Sequence, residues 1–244
     1  MPTVAELSGV YSNFMMGPRP APDVCTQCFN FTDGFPRCYA CTNGESWLDT
    51  IVPISYSVAR EQLHHALAGY KRLDGEVARR LQVELAAVLW RYLAAHERCV
   101  ARASGGERFD LVTTVPSSDR ARDERHPLRR VVGELCGATR DRHERLLRRS
   151  AAAAPERAFS AEKFEPIRPL EGDSVLLIDD TWTTGANAQS AAAALRHGGA
   201  GRIAAVVIGR HLNREWRHND RRLRGLVRPF DWHRCAVHNA APDG

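Results

Sequence analysis

Short runs of consecutive apolar residues alternate along this chain with longer stretches in which apolar residues recur every three or four positions. Runs of the first kind, bounded by polar residues, predict strands buried on both faces. They cover residues 50–56, 110–116, 174–178 and 202–208. Stretches of the second kind predict helices. They cover residues 62–70, 76–96 and 189–196, with shorter helices predicted within 4–16 and over 128–136.

Other stretches carry no such period. Residues 17–22 are rich in proline and predict a stiff linker. Residues 143–169 combine an alanine run with Pro155, and an aperiodic stretch of this length inside a domain is usually functional. We expect residues 143–166, with Arg157 and Lys163, to form a mobile loop that closes over a bound ligand. The basic stretch 218–228 is interpreted as a solvated surface.

Length and composition set the broad class. The chain has 244 residues, 43% of them hydrophobic and 26% charged, which is ordinary for a globular protein and leaves room for one domain and an appendage. The formal net charge of +5 comes almost wholly from arginine, so contact with nucleic acid is possible but not favoured. No apolar run is long enough to span a membrane and no secretion signal is evident, so we expect a cytoplasmic protein.

Four cysteines near the N-terminus have metal-ligand spacing. Cys25 and Cys28 form one Cys-x-x-Cys pair, and Cys38 and Cys41 form a second. Two such pairs offer four thiolates to a structural zinc ion, and redox chemistry is the alternative. We therefore predict a zinc module in residues 1–48, ahead of a larger domain in residues 49–244. Near the other end, His233, Cys235 and His238 are interpreted as structural, although metal binding stays open.

The most informative stretch is Ser174–Asn187, where an apolar strand ends in two acids and a hydroxyl-rich loop precedes a helix. The first turn of a helix has unpaired N–H groups and a positive dipole end, which suit a phosphate. Carboxylates upstream accept hydrogen bonds from sugar hydroxyls, so a ribose 5-phosphate fits both halves. The acids are Asp179 and Asp180, and the predicted phosphate cradle is Thr181, Thr183, Thr184, Gly185, Ala186 and Asn187.

Two other nucleotide-binding patterns are absent. A phosphate loop of nucleoside triphosphatases needs a Gly-Lys pair, and the only lysines of this chain, Lys71 and Lys163, do not follow glycine. The Gly-x-Gly-x-x-Gly pattern of dinucleotide-binding folds is also missing. A second loop follows the strand at 110–116, and its small and basic residues are suited to an anion. Its candidate ligands are Pro116, Ser117, Ser118, Arg120 and Arg122.

Residues 175–187 closely resemble the phosphoribosyl pyrophosphate (PRPP) motif of type I phosphoribosyltransferases, with Asn187 in place of the usual threonine. The order of the features also matters: cysteine pairs, Pro53–Tyr56, Leu63–Lys71, the loop at 115–117 and then the PRPP motif. That order resembles the ComF family, named for a competence protein of bacterial DNA uptake. The resemblance implies an α/β fold, a parallel sheet with helices on both faces, preceded by a small zinc-ribbon-like module.

The resemblance also implies a function. The protein is expected to bind Mg-PRPP and to transfer the phosphoribosyl group to an unidentified small-molecule acceptor, releasing pyrophosphate. Asp179 and Asp180 would hold the ribose hydroxyls and favour positive charge at the anomeric carbon. Mg²⁺ would accompany PRPP, zinc would be structural, and a homodimer is possible. The alternatives are a non-catalytic PRPP or nucleotide sensor and an accessory protein of DNA uptake, which pyrophosphate release and salt-dependent DNA binding would distinguish.

Overall fold

The computed structural model describes residues 2–117, 123, 126–152 and 158–237. Its centre is a four-stranded sheet in which every neighbouring pair is parallel, in the order β1-β6-β5-β2. A separate antiparallel ribbon pairs β3 with β4. The strands are β1 Thr50–Val58, β2 Leu111–Thr114, β3 Leu147–Arg149, β4 Phe164–Pro166, β5 Ser174–Trp182 and β6 Arg202–Leu212.

Seven α-helices connect and cover these strands in the described part of the chain. They are α1 Val4–Gly9, α2 Tyr39–Asn43, α3 Gln62–Arg72, α4 Gly75–Ala103, α5 Pro127–Arg130, α6 Ala186–His197 and α7 Asn219–Arg224. A π-helical turn, Val131–Leu135, follows α5 directly, and a 3₁₀ turn spans Arg140–Arg142. The predicted helix at 128–136 is therefore present, but half of it has π geometry.

The sheet is covered on both faces because alternate residues of its strands enter two different cores. Leu176 and Ile178 of β5 pack with residues of α3 and α4 in one core. Val175 and Leu177, from the same strand, pack with residues of α6 in the other. Because both faces are covered, the central strands are apolar at consecutive positions. The predicted α/β fold with a parallel sheet is confirmed.

The sequence prediction was incomplete over residues 143–166. This stretch contains the ribbon of β3 and β4, and β4 packs against α6. Lys163 is fully buried rather than free to close over a ligand. Residues 153–157, including Arg157, lie outside the described residues. Strands of three residues are too short to show a period, so hydrophobic patterning did not detect them.

Within the described residues, segments from the N-terminal and C-terminal parts of the chain meet on the long helix α4. Helix α1 packs against α4. Residues 229–237, the C-terminal segment, join them. The Phe230 N–H donates to the Ser12 carbonyl at 2.7 Å, and the Trp232 indole donates to Ser12 Oγ at 2.8 Å. The basic stretch after β6 is partly neutralised by acids, with Arg222 3.6 Å or less from Asp23 and Asp33. Among the described residues, we find no helix with the length and apolar character to cross a membrane.

Candidate functional site

A cleft of about 1390 Å³ opens at the C-terminal ends of β2 and β5. The carboxyl ends of parallel strands are where open α/β sheets bind their ligands. Both predicted acids and part of the threonine-rich loop line this cleft, together with the end of α3, the start of α4 and the residues around α5. A smaller adjoining cavity of about 550 Å³ is lined by Thr183, Thr184, Gly185 and the first residues of α6.

Asp180 is the more buried of the two acids, with a side chain 3% exposed. The Tyr70 hydroxyl donates a hydrogen bond to its Oδ2, and the Lys71 ammonium forms an ion pair with the same oxygen. Both partners belong to the last turn of α3. Burial and the negative charge of Asp180 raise the pKa of Tyr70 well above its usual range, so the phenol keeps its proton. Asp180 therefore uses one carboxylate oxygen, Oδ2, for contacts within the protein.

Asp179 is half-buried and lines both cavities. Its Oδ1 accepts a hydrogen bond of 2.8 Å from the Asp180 backbone N–H. Burial, followed by the charge of Asp180, raises the pKa of Asp179 to about 7, against the opposing effect of Lys71. Since Asp179 is the more exposed of the two acids and lines both cavities, its carboxylate is the more accessible one from the cleft.

The turn between β5 and α6, residues 183–185, is shaped around a buried tryptophan. Gly185 has a φ of +84°, and a Cβ atom there would lie 2.0 Å from the Trp182 ring. Only glycine satisfies both constraints. Thr183 and Thr184 are exposed, and Thr184 Oγ1 accepts from the Ala186 N–H at 3.4 Å. The remaining first-turn amides of α6 have no intrahelical acceptor, so this end of the helix suits an anion.

The side chain of Asn187, in the first turn of α6, accepts a hydrogen bond from Lys163. The ammonium of Lys163 donates to Asn187 Oδ1 at 3.0 Å and to the Ala158 carbonyl at 2.6 Å. The segment preceding β4 is also fastened to α6 by a 3.0 Å hydrogen bond from the Ser160 N–H to Ser190 Oγ. Lys163 therefore fixes the amide of Asn187 and adds positive charge behind the helix N-terminus.

The second predicted loop is described only in part. Pro116 is buried and Ser117 half-buried at the edge of the cleft, whereas Ser118, Arg120 and Arg122 lie outside the described residues. The Ser117 N–H donates to Asp123 Oδ1 at 2.9 Å instead of pointing to an open anion site. Asp123 is in turn paired with Arg129 at 2.6 Å and Arg145 at 2.8 Å. This buried acid anchors the start of the loop.

Three histidines line the two cavities and were not among the site residues predicted from sequence: His126 in the larger cavity, and His64 and His211 in the smaller one. Burial lowers the pKa of His126 to about 4, so its ring is neutral near pH 7, and its Nδ1 has no partner among the described residues. His64 and His211 lie 5.4 Å apart between ring centroids, beside the threonine-rich turn. Burial, followed by the charge of His65, lowers the pKa of His64, and burial, followed by the charge of His64, lowers the pKa of His211. A bound phosphate would oppose that effect.

The four N-terminal cysteines come together as the spacing predicts. Their sulfur atoms lie within 4.8 Å of one another, and those of Cys28 and Cys38 are 3.6 Å apart. Four sulfurs around one tetrahedral zinc ion are about 3.8 Å apart, from a Zn–S bond of about 2.3 Å. Three of the four residues are buried, which suits a closed structural site. The group is thus compatible with structural zinc.

A buried arginine connects this cysteine group to the candidate site. Arg210 is 4% exposed. Its Nε donates to the Cys28 carbonyl at 3.0 Å, its Nη1 donates to the Trp182 carbonyl at 3.0 Å, and its Nη2 lies 3.8 Å from Cys28 Sγ. Tyr56 adds a second connection by donating to the Phe29 carbonyl at 2.8 Å. The cysteine group therefore packs on the same sheet that carries the cleft, and the boundary at residue 48 stays a prediction.

Sequence reasoning missed the partners of the acids because they are distant along the chain. Tyr70 and Asp180 are 110 positions apart. One usable signal was present: Lys71 is one of only two lysines in an arginine-rich chain, and it directly follows the predicted helix 62–70. Residues 209–213, which include Arg210, follow the predicted strand 202–208 and were expected on the ligand side of the sheet, whereas Asp123 carried no comparable signal. No family model matches the chain, and a search of curated proteins also finds no match.

Proposed function

We propose that this protein binds Mg-PRPP in the cleft at the ends of β2 and β5 and transfers its phosphoribosyl group to a small-molecule acceptor. The observation that carries the proposal is the placement of Asp179. Asp179 lines the cleft from the end of β5, four residues before the glycine-containing turn that leads into the N-terminus of α6. A sugar-hydroxyl acceptor next to an anion-binding helix end is the arrangement that a ribose 5-phosphate requires.

In this proposal each part of PRPP has its own partners. The 5-phosphate lies at the N-terminus of α6, against Thr183, Thr184 and the amides of Ala186 and Asn187. Asp179 accepts hydrogen bonds from the ribose hydroxyls. The pyrophosphate lies toward Pro116 and Ser117 at the edge of the cleft. Asp180 holds Lys71 and Tyr70 in place, so it acts as a positioning residue rather than the direct ligand expected from sequence.

The reaction forms a bond from an acceptor atom to the anomeric carbon and breaks the bond from that carbon to pyrophosphate. Positive charge develops on the sugar as the leaving group departs. The negative charge of Asp179 favours this state because the half-buried site weakens screening by water. Carboxylate and pyrophosphate oxygens are the ligands that Mg²⁺ prefers, and Mg²⁺ would neutralise the leaving group when bound.

Two finer assignments belong to the same proposal. The parallel sheet, with its acid-threonine-glycine turn before α6, supports a type I phosphoribosyltransferase fold. The cysteine group, packed on that sheet through Arg210, supports a structural zinc ion and the ComF-like arrangement of zinc module and transferase domain. Neither assignment identifies the acceptor, whose binding would involve the cleft wall around His126.

The test is pyrophosphate release from Mg-PRPP in the presence of a panel of nucleobases and amines, with products identified by mass spectrometry. An enzyme releases pyrophosphate only with its acceptor, and Asp179→Asn should abolish most of that release. Asp141→Asn is the matched control, because Asp141 is 85% exposed and lies outside the residues that line the cleft. Binding of Mg-PRPP without release for any acceptor would favour the sensor instead.

A further inference from the structure

A second group of metal-ligating side chains lies outside the N-terminal cysteine group. It consists of His96, Cys99 and Cys235, whose ligand atoms are all within 4.8 Å of one another. His96 and Cys99 are three positions apart on α4 and so share one face of that helix. Cys235 comes from the C-terminal segment, which packs across α4. His96 is 3% exposed and Cys235 is 7% exposed.

The orientation of His96 is the one found in metal-bound imidazoles. Its Nε2 lies 2.9 Å from the Trp232 carbonyl oxygen. A carbonyl oxygen can only accept, so Nε2 carries the hydrogen and, in the neutral ring, Nδ1 carries the lone pair. Nδ1 faces Cys99 Sγ at 4.0 Å. A backbone carbonyl that holds one ring nitrogen and leaves the other to the ion is the usual second contact of a histidine ligand.

The distance between His96 and Cys99 requires little adjustment to accept an ion. A nitrogen and a sulfur on one tetrahedral zinc are about 3.6 Å apart, from bond lengths of about 2.05 and 2.3 Å. The His96–Cys99 separation of 4.0 Å exceeds that value by only a few tenths of an ångström. The Tyr92 ring packs on the His96 ring, with centroids 5.0 Å apart, and restricts its rotation.

We propose that His96, Cys99 and Cys235 form a second metal site that takes a thiophilic divalent cation, zinc above all, and fastens the C-terminal segment to α4. Two thiolates and an imidazole select zinc over magnesium or calcium, which prefer oxygen ligands. His238, three residues after Cys235 in the sequence, lies outside the described residues and is not part of the proposal.

The site would stabilise a junction of three distant parts of the chain. Trp232, whose carbonyl orients His96, donates its indole N–H to Ser12 near α1 and lies under the Arg91 guanidinium, 4.4 Å from its ring centroid. An ion coordinated by Cys235 and by His96 and Cys99 of α4 would hold the C-terminal segment on that helix through metal–ligand bonds. Because an ion binds only the folded arrangement, its binding free energy would add to stability.

The first experiment counts zinc in the purified full-length chain by native mass spectrometry. The wild type should hold about two zinc ions per chain, and Cys99→Ser and Cys235→Ser should each hold about one. Cys28→Ser should lose the other ion, and Cys136→Ser, which changes a buried cysteine outside both groups, should lose none. One ion in the wild type, or two ions in Cys99→Ser, would overturn the proposal.

A second measurement needs no variant and so does not depend on how well the variants fold. X-ray absorption at the zinc edge of the wild-type protein reports the atoms bound to zinc. If both sites hold zinc, the atoms bound to zinc are sulfur together with imidazole nitrogen. If only the N-terminal cysteine group holds zinc, they are sulfur alone. A sulfur-only shell would reject the site. Either result leaves the Mg-PRPP proposal untouched, because neither measurement involves the cleft.

Discussion

The two acids of β5 both line the cleft but differ in their contacts. Asp180 is paired with Lys71 and accepts a hydrogen bond from Tyr70, whereas Asp179 is the more exposed of the two. The sequence predicted that both acids bind ribose, because adjacent carboxylates at the end of a strand are indistinguishable by pattern. What distinguishes them is a helix end 110 positions away in the chain, and such a contact leaves no local signal.

The pKa of Asp179 predicts how ligand binding depends on pH. Because burial and Asp180 raise this pKa to about 7, the carboxyl group is largely protonated below pH 7. A protonated carboxyl offers a weaker acceptor to ribose hydroxyls, so affinity for Mg-PRPP should rise as the pH increases through that range. Calorimetry at about pH 6 and about pH 8, on either side of this value, measures the change.

The control for this titration is Asp179→Asn, which has no proton to lose. Its affinity should be low at both pH values and should lack the step attributed to Asp179. If the variant keeps the same pH dependence as the wild type, another group, such as His64 or His211, is responsible and the assignment to Asp179 is wrong.

Among the elements, the four strands of the central sheet were predicted from their apolar runs, but their C-terminal ends were misplaced, by four residues in β5 and β6 and by two in β1 and β2. β5 continues through Asp179 and Asp180 to Trp182, and β6 continues to Leu212. Pairing of these two strands with each other and of β6 with β1 extends them beyond the apolar residues. The acids therefore lie on rigid strand, not on a loop.

The ribbon of β3 and β4 was not predicted at all, because each of its strands is too short to show alternation.

The turn from β5 to α6 supplies a prediction about its glycine. Gly185→Ala should destabilise the protein because it combines a left-handed backbone with a clash against Trp182. Gly34 is the matched control: its φ is +86°, but a Cβ there meets nothing within 4 Å. Gly34→Ala should lower the free energy of unfolding by roughly 1–2 kcal/mol, the cost of the backbone alone. Gly185→Ala should cost about 1–3 kcal/mol more, the range for overpacking.

Urea denaturation of the two variants measures this difference. Equal losses would mean that Trp182 moves aside freely, and the turn would then be less rigid than the packing indicates. A larger loss for Gly185→Ala, accompanied by weaker binding of ribose 5-phosphate, would tie the buried tryptophan to the shape of the anion site.

At the scale of the whole molecule, one buried arginine joins the cysteine group to the cleft. If the cysteine group holds zinc as proposed, Cys28→Ser should lower the melting temperature, since metal binding free energy is folding free energy. It should also weaken Mg-PRPP binding, because Arg210 connects Cys28 to the carbonyl of Trp182. Scanning calorimetry and titration of the wild type and of Cys28→Ser check both effects. Unchanged melting and binding in Cys28→Ser would show that the cysteine group is neither a metal site nor coupled to the cleft.

Calorimetric titration of the wild-type protein with Mg-PRPP is the most direct test of the proposed function. We expect one binding site per chain, in the cleft. We also expect Asp179→Asn to lose roughly 1.5–3 kcal/mol of binding free energy, the range for a hydrogen bond to a charged group, or about tenfold to a hundredfold in affinity. Asp141→Asn should bind as the wild type does. No detectable binding at millimolar Mg-PRPP, or equal binding by Asp179→Asn and the wild type, would contradict the central claim.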